Sequence, residues 1–493
     1  MNLIKKFKTA DKYTKLSAIV IILFSVIILA LTSIYHVSGD ACWHMSASKF
    51  MSEEKKIPLN EGLGRDEPFW APPLFHIVSA FVYSISGNFA DTMIKFLSPV
   101  FAILTLIFTF LIVKKLFSTK LAFYTLLFLA FIPLFMDYSI FSYVESMLTF
   151  FVVLSVYFAI TKRIILASIA VGLGILTKYN ALFIVPLLIY IIYKNSKNKK
   201  IPVKDISIIA LLPLIIASPW LIRNWILLGN PIWPFLNFVF QGMSGASYTG
   251  FYPGRLFDIN LIITTYLGLF GVPNGDIRTL FFFNIPYINL LTTAWLVGTL
   301  IFILPLIYIF YIKKIKNKAL LSLWIISYAL LFLLYVSNVG FSVTRIIIPL
   351  IPALAIIWAH GFNKMLSYKH RNIILVIFAL AISGFVFAEF TKITLAANEW
   401  NFYNEDFEWI KANTQKNTLV MASGQCIPYN INRQTIKPSN KNLEKAGYVF
   451  VNQKFKLDAR VIIDNKLLSE IKDKSSLVYS SSKTGTEIYR IKQ

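Results

Sequence analysis

The chain has 493 residues, of which 57% are hydrophobic and only 15% charged. A soluble protein of this size has no use for so much apolar surface, so a polytopic membrane protein is expected and a soluble enzyme is excluded. Lys and Arg outnumber Asp and Glu by 48 to 24, but the excess falls in short clusters between apolar runs. With no zinc pattern, RNA-binding signature or aromatic-studded basic helix, nucleic acid is excluded as a partner.

The N-terminal stretch MNLIKKFKTADKYTK is basic and leads into an apolar run near 14–35, long enough to cross a bilayer. A cleaved signal peptide has a similar look. The run is long for one, and no clean small-residue site precedes Asp40, so a retained anchor is expected. Further spans are expected near 93–113, 121–136, 145–161, 164–177, 181–194, 206–227, 287–312, 319–336, 345–363 and 372–391, which makes about eleven.

Every second short loop is basic: Lys114, Lys115 and Lys120; Lys162 and Arg163; Lys194, Lys197, Lys199, Lys200 and Lys204; Lys313, Lys314, Lys316 and Lys318; Lys364, Lys369 and Arg371. This alternation predicts a multi-pass protein of the cell membrane with a cytoplasmic N-terminus and, after an odd number of spans, an extracytoplasmic C-terminus. It holds only if PPLFHIVSAFVYSISG, Pro72 to Gly87, does not cross. That stretch is read as a helix lying at the outer interface, with a short true span as the alternative.

Three long segments then project outward. The first runs from His36 to about Asp91. The second, from about Leu228 to Pro286, contains NPIWPF, GMSGASYTGFYPGR and GVPNGDIRT, whose Gly, Pro and aromatic residues predict irregular structure. The third is a polar tail, residues 398–493, set apart from a membrane domain at 1–397. The tail alternates helical pieces (NEDFEWIKANT, NKNLEKAG, NKLLSEIKDK) with short apolar strands (TLVMAS, YVFVNQ, ARVIID, SLVYSS, TEIYRIK), which predicts a small α/β domain. Cys42 and Cys426 both fall on the outer side without a CxxC pattern. Two unrelated thiols are expected, with a disulfide as the alternative.

Charges at the membrane level carry the chemistry. Asp40 follows the first span. Glu145 begins an apolar helix in MDYSIFSYVESMLTF, and Asp137 lies just before it. Asp40 and Glu145 at one depth are candidates to flank a reacting centre; interfacial solvation, or a favourable charge at a helix N-terminus, is the plainer account. Basic groups on this side are few: Lys178 in GILTKYNALF, Arg223 in SPWLIRNWILLGNPIWP and Arg345 in FSVTRIIIPLIPAL. They either snorkel to headgroups or converge on one anionic group. Arg255 and Arg278 are weaker candidates. His44, His76, Tyr179 and Asn224 are candidate substrate contacts. Asp40, His44, Asp66 and Glu67 have metal-ligand chemistry but undiagnostic spacing, so a divalent metal has no support and no cofactor is implied. Nor is there a phosphate-cradling Gly loop or a serine nucleophile elbow. An activated group would have to arrive through the membrane, as a lipid-linked phosphosugar does.

The order of these features resembles the GT-C glycosyltransferases that use polyprenyl-phosphate sugars, of the protein mannosyltransferase and aminoarabinose transferase type. Carrying the resemblance are GDACWH after the first span, APPLFHIV, SYVESMLTF, GLGILTKYNAL, SPWLIRNWILLGNPIWPF and TRIIIPLIPAL, over about residues 14–360. The resemblance implies that Asp40 is the catalytic base, that Glu145 is the later outer-loop acid, and that Lys178, Arg223 and Arg345 hold the donor phosphate. Many relatives carry a second acid directly after the first; Ala41 stands there in this chain. The expected function is inverting transfer of a sugar from a polyprenyl-phosphate donor to a protein, lipid or polysaccharide acceptor on the outer face. A lipid-linked sugar flippase or other transporter is the competing class. It predicts charges near the midplane and paired broken helices, whereas the polar residues here gather at the outer rim.

Overall fold

The computed structural model describes residues 9–59, 68–196, 201–243, 259–271, 288–312, 315–339, 344–424, 426–452 and 463–492. In chain order, with shorter turns between them, the helices are α1 (Lys12–Ile34), α2 (Asp40–Glu54), α3 (Leu74–Ile85), α4 (Leu97–Leu116), α5 (Thr119–Phe131), α6 (Pro133–Ile140), α7 (Glu145–Ile160), α8 (Ile164–Thr177) and α9 (Val185–Asn195). There follow α10 (Val203–Leu228), α11 (Ile259–Leu269), α12 (Ile288–Ile307), α13 (Lys318–Val339), α14 (Ile351–Met365), α15 (Arg371–Asn401), α16 (Asn404–Asn413), α17 (Ile427–Ile431) and α18 (Asn465–Lys474). These form two compact units. The first comprises Met1–Ser33, Ser98–Ile140 and Val144–Lys392; the second comprises Ile34–Leu97, Phe141–Tyr143 and Ile393–Gln493.

The first unit is helical because a bilayer offers no water to the backbone, so spanning segments must pair their own amides. A helix lies on each predicted span. Among the described residues, six helices are long and apolar enough to cross: Lys12–Ile34, Ala90–Leu116, Val203–Leu228, Lys318–Ser337, Thr344–Met365 and Arg371–Asn398. The pair α5 and α6 adds a seventh if taken together, bent by 64°. The bend has a local cause: Ile132 precedes Pro133, whose ring drives it to an extended conformation, φ −70 and ψ 124. Reaching eleven takes α12, with 20 residues, and the shorter helices Glu145–Ile160, Ile164–Thr177 and Tyr179–Asn195. The 16 residues of α7 rise about 24 Å against a hydrocarbon core of about 30 Å, so α7 enters the expected count of eleven only as a short span.

Inside this unit the glycines of GLGIL matter. A methyl group on Gly172 would meet Ile216 of α10 at 2.8 Å, and one on Gly174 would meet the Ala181 methyl at 2.8 Å. Small residues let α8 approach α10 and the turn after α8 closely, which fixes where Lys178 emerges.

The second unit joins the segment that follows α1 to the tail. Its helix α3 has 12 residues and rises about 18 Å, too short to cross a bilayer. The tail folds as expected into a small α/β domain. Strands β1 (Val420–Ala422), β2 (Thr435–Ile436), β3 (Tyr448–Asn452), β4 (Ser475–Ser480) and β5 (Thr486–Ile491) form one sheet in the order β2-β1-β3-β5-β4. β1 runs parallel to β2 and β3, while β5 is antiparallel to β3 and β4. Alternation along β3 sorts the faces: Val449 and Val451 join Leu467 and Ile471 of α18 in one core, and Phe450 stacks on Phe407 of α16. Buried Asp406 is satisfied by the Tyr479 and Thr486 hydroxyls at 2.7 and 2.6 Å. Of the predicted strand ARVIID, residues 459–462 lie outside the described residues. Ile463 and Asp464 are not in a strand; Asp464 instead caps α18, accepting from the Leu467 amide at 2.7 Å.

The expectation of two unrelated thiols is overturned: Cys42 and Cys426 form a disulfide across 384 residues of sequence. Sequence distance hid the pairing, because α17 packs on α2 only in the folded unit. Replacing both cysteines by serine is expected to destabilise this unit by about 2–5 kcal/mol, read as an earlier unfolding transition of the β-sheet by hydrogen exchange.

Candidate functional site

Asp40 is the first residue of α2, in the second unit. Its backbone is held tightly. Gly39 before it has φ +59, a region that favours glycine, and a methyl group there would meet the Tyr143 hydroxyl at 3.1 Å. That hydroxyl accepts a hydrogen bond from the Asp40 amide at 3.0 Å. Two residues on, Cys42 is tied to Cys426. The turn preceding α2 is therefore fixed from three sides, and the carboxylate sits at a helix N-terminus, where negative charge is favoured.

One helical turn further lies His44, buried, with Nδ1 2.9 Å from Nε2 of His76. One of these nitrogens donates and the other accepts. Trp43, Phe69 and Phe75 surround the pair. Burial, with His44 beside it, pushes His76 well below the ordinary histidine range. The two histidines read separately in the sequence are thus one buried, hydrogen-bonded pair.

A third histidine, not singled out in the sequence, braces the same segment. His36 stacks on Trp400 at 5.3 Å and bonds through Nε2 to Asn430 Oδ1 at 3.2 Å. Burial pushes it down to about 4, with Lys95 adding repulsion and the Asn430 bond opposing. A histidine held below its ordinary range favours folding only while neutral, so stability is complete above about pH 6.5 and declines as pH falls towards 4. His76 acts in the same direction. His36→Gln is expected to remove about 3 kcal/mol of the acid-induced loss, measured as the difference between wild-type and variant denaturation at neutral pH and near pH 4.

In the first unit, Glu145 opens α7 and is 1% exposed. Its Oε1 accepts from Lys178 Nζ at 2.7 Å and lies 3.6 Å from Arg345 Nε. Its Oε2 is buried without a hydrogen-bond partner. Lys178 is delivered by the end of α8, where the chain turns extended; Arg345 comes from the turn Thr344–Leu350. Two cations converge on one carboxylate. Their side chains keep 24% and 23% exposure, so both remain reachable while their anchor does not.

Beside Lys178 in sequence, the Tyr179 hydroxyl accepts from Trp220 Nε1 at 2.9 Å and from Asn224 Nδ2 at 3.3 Å. Arg223 Nη1 donates to Asn224 Oδ1 at 2.9 Å, and its guanidinium lies 4.7 Å from the Trp220 ring centroid. Tyr179, Trp220 and Asn224 therefore orient Arg223, partly by a cation–π contact. The sequence singled out all these residues but Trp220.

Asp137 is paired elsewhere, with Lys392, which also meets Glu389 at 2.7 Å. Lys392 and Glu389 were missed, although FAEFTKI interrupts an apolar run with two charges, a signal in its own right. Asp66, Glu67, Arg255 and Arg278 lie outside the described residues. Among the described residues no three metal-ligating side chains converge.

The family model for dolichyl-phosphate-mannose-protein mannosyltransferase matches residues 70–223. ArnT from Cupriavidus metallidurans bound to undecaprenyl phosphate is similar with TM-score 0.63 and 11% identity, over 96% of this chain and 97% of that one. The apo oligosaccharyltransferase of Archaeoglobus fulgidus has TM-score 0.57 and 12% identity, over 99% and 75%. The arabinofuranosyltransferase AftD from Mycobacteria has TM-score 0.54 and 11% identity, over 96% of this chain but 40% of that one. No curated protein matches significantly in sequence. The likeness is one of fold: this is an integral membrane protein with the GT-C fold, as the motif order implied. The family model and the similar structures alike are those of glycosyltransferases.

Proposed function

We propose that the chain moves a sugar from a polyprenyl-phosphate donor to an acceptor on the outer face of the cell membrane, with inversion at the anomeric carbon. The observation that carries this reading is the cation pair anchored by buried Glu145, set in a GT-C fold. Undecaprenyl phosphate is bound in the similar ArnT structure, which supports a donor of that class. The Cys42–Cys426 disulfide supports an outward-facing tail, because such bonds persist in oxidising compartments.

In this reading Asp40 takes the proton of an acceptor hydroxyl or amine as that group attacks the anomeric carbon. The bond to the phosphate oxygen breaks on the opposite side. Polyprenyl phosphate already leaves well, so no strong general acid is needed. Lys178 and Arg345, with Arg223, stabilise the charge that develops on it, and their fixed anchors spare reorganisation during the step. Glu145 then acts as a positioning residue: its carboxylate sets the two cations at fixed places. His44, one turn beyond Asp40 on α2, and its partner His76 on α3 offer a packed wall for the acceptor.

The test is purified protein in liposomes with a radiolabelled polyprenyl-phosphate sugar. Passage of label to an acceptor or to water supports transfer. Movement of intact donor across the bilayer, with no label released, supports a flippase and overturns the proposal.

A further inference from the structure

At the ends of α7 and α8 remote from Glu145 and Lys178, the first unit contains a cavity of about 730 Å³. Among its lining residues are Lys162, Arg163 and Lys204, with Asn195, Ser196 and Asp205. Among the described residues, Lys162, Arg163, Lys204 and Asp205 have no side-chain hydrogen bond, ion pair or ring contact. Three unneutralised cations thus face one carboxylate around a single hollow. This differs from Lys178 and Arg345, which pair with Glu145. Helices α8 and α10 also begin at the cavity, and neither has a side-chain cap at its N-terminus, which adds positive potential to that of the lysines and arginine. At the rim Ile165, Leu166 and Ile201 are exposed. Apolar side chains beside unpaired cations suit a ligand that is anionic at one end and greasy at the other.

We infer that this cavity binds the phosphate headgroup of an anionic phospholipid, with the acyl chains lying against the exposed isoleucines and leucine. Charge complementarity selects the headgroup, and the apolar rim selects a lipid over a free anion. In the orientation proposed above the lipid belongs to the cytoplasmic leaflet, about 24 Å along α7 from the donor-phosphate cations. A bare fringe of solvated charge would attract anionic surfaces generally but hold no particular molecule.

The full-length protein, reconstituted with phosphatidylcholine alone or mixed with phosphatidylglycerol, is released and its retained lipids counted by native mass spectrometry. Wild type is expected to keep phosphatidylglycerol. The variant Lys162→Gln, Arg163→Gln, Lys204→Gln is expected to lose that retention by roughly tenfold or more, with its melting point in phosphatidylcholine unchanged. Should that variant misfold, Asp205→Asn supplies the second arm: removing the opposing carboxylate should strengthen retention. Equal retention in wild type and both variants overturns the proposal. So does stripping of the lipid by inorganic phosphate, which would make a free anion the occupant. Lipid counting is independent of sugar transfer, so this site and the catalytic reading fail separately.

Discussion

Asp40→Asn stops sugar transfer while leaving the protein folded: the expected loss is roughly 10²–10⁴-fold in turnover, the share a general base contributes. Asparagine matches aspartate in shape and preserves the backbone amide that donates to the Tyr143 hydroxyl, but it cannot accept the acceptor's proton. The control is structural. The Cys42–Cys426 bond should still form, and donor binding, measured by retention of labelled lipid without turnover, should be unchanged. Transfer within about tenfold of wild type would remove Asp40 from the base's role, and release of donor label to water at the wild-type rate would do the same.

Glu145→Gln should have the second largest effect, and it divides between stability and turnover. The carboxylate is almost fully buried, and its two partners are about three-quarters buried. Removing one member of such a set leaves charge uncompensated, at a cost of about 3–5 kcal/mol. The local net charge rises by one, so polyprenyl phosphate should bind more tightly as product while turnover falls through lost positioning of Lys178 and Arg345. Stronger product inhibition with a lower kcat is the signature to look for. Lys178→Met supplies the complement: loss of a charge-assisted contact worth about 1.5–3 kcal/mol should cut kcat/KM for donor by roughly 10–100-fold. A Glu145→Gln protein with normal melting, normal kcat and normal product inhibition would show that the carboxylate positions nothing.

How much of this could be seen in the sequence follows from what each feature depends on. The spanning helices were legible because hydrocarbon forces long apolar runs. Glu145 was legible because an acid opening such a run is costly. Lys178 and Arg345 stood out as scarce cations at helix ends, yet nothing in the sequence said that they meet Glu145, since pairings across 33 or 200 residues leave no local pattern. Tyr143 was invisible for another reason: its hydroxyl serves a backbone amide, and such a contact constrains no neighbouring residue type. The disulfide was misjudged because a lone cysteine near each end of a long chain has no spacing to read. Strand β2, with two residues, is too short to show alternation. Helices α7 and α8 are apolar but short, so their hydropathy marks them more clearly than their length does.

The bond between Cys42 and Cys426 closes most of the polypeptide into a covalent ring. A protease that nicks the connection between α15 and α16 would therefore release nothing: the fragments stay joined through sulfur and run as one band until a reductant is added. Shedding of the tail by a single cut is possible only downstream of Cys426, within the sheet domain itself.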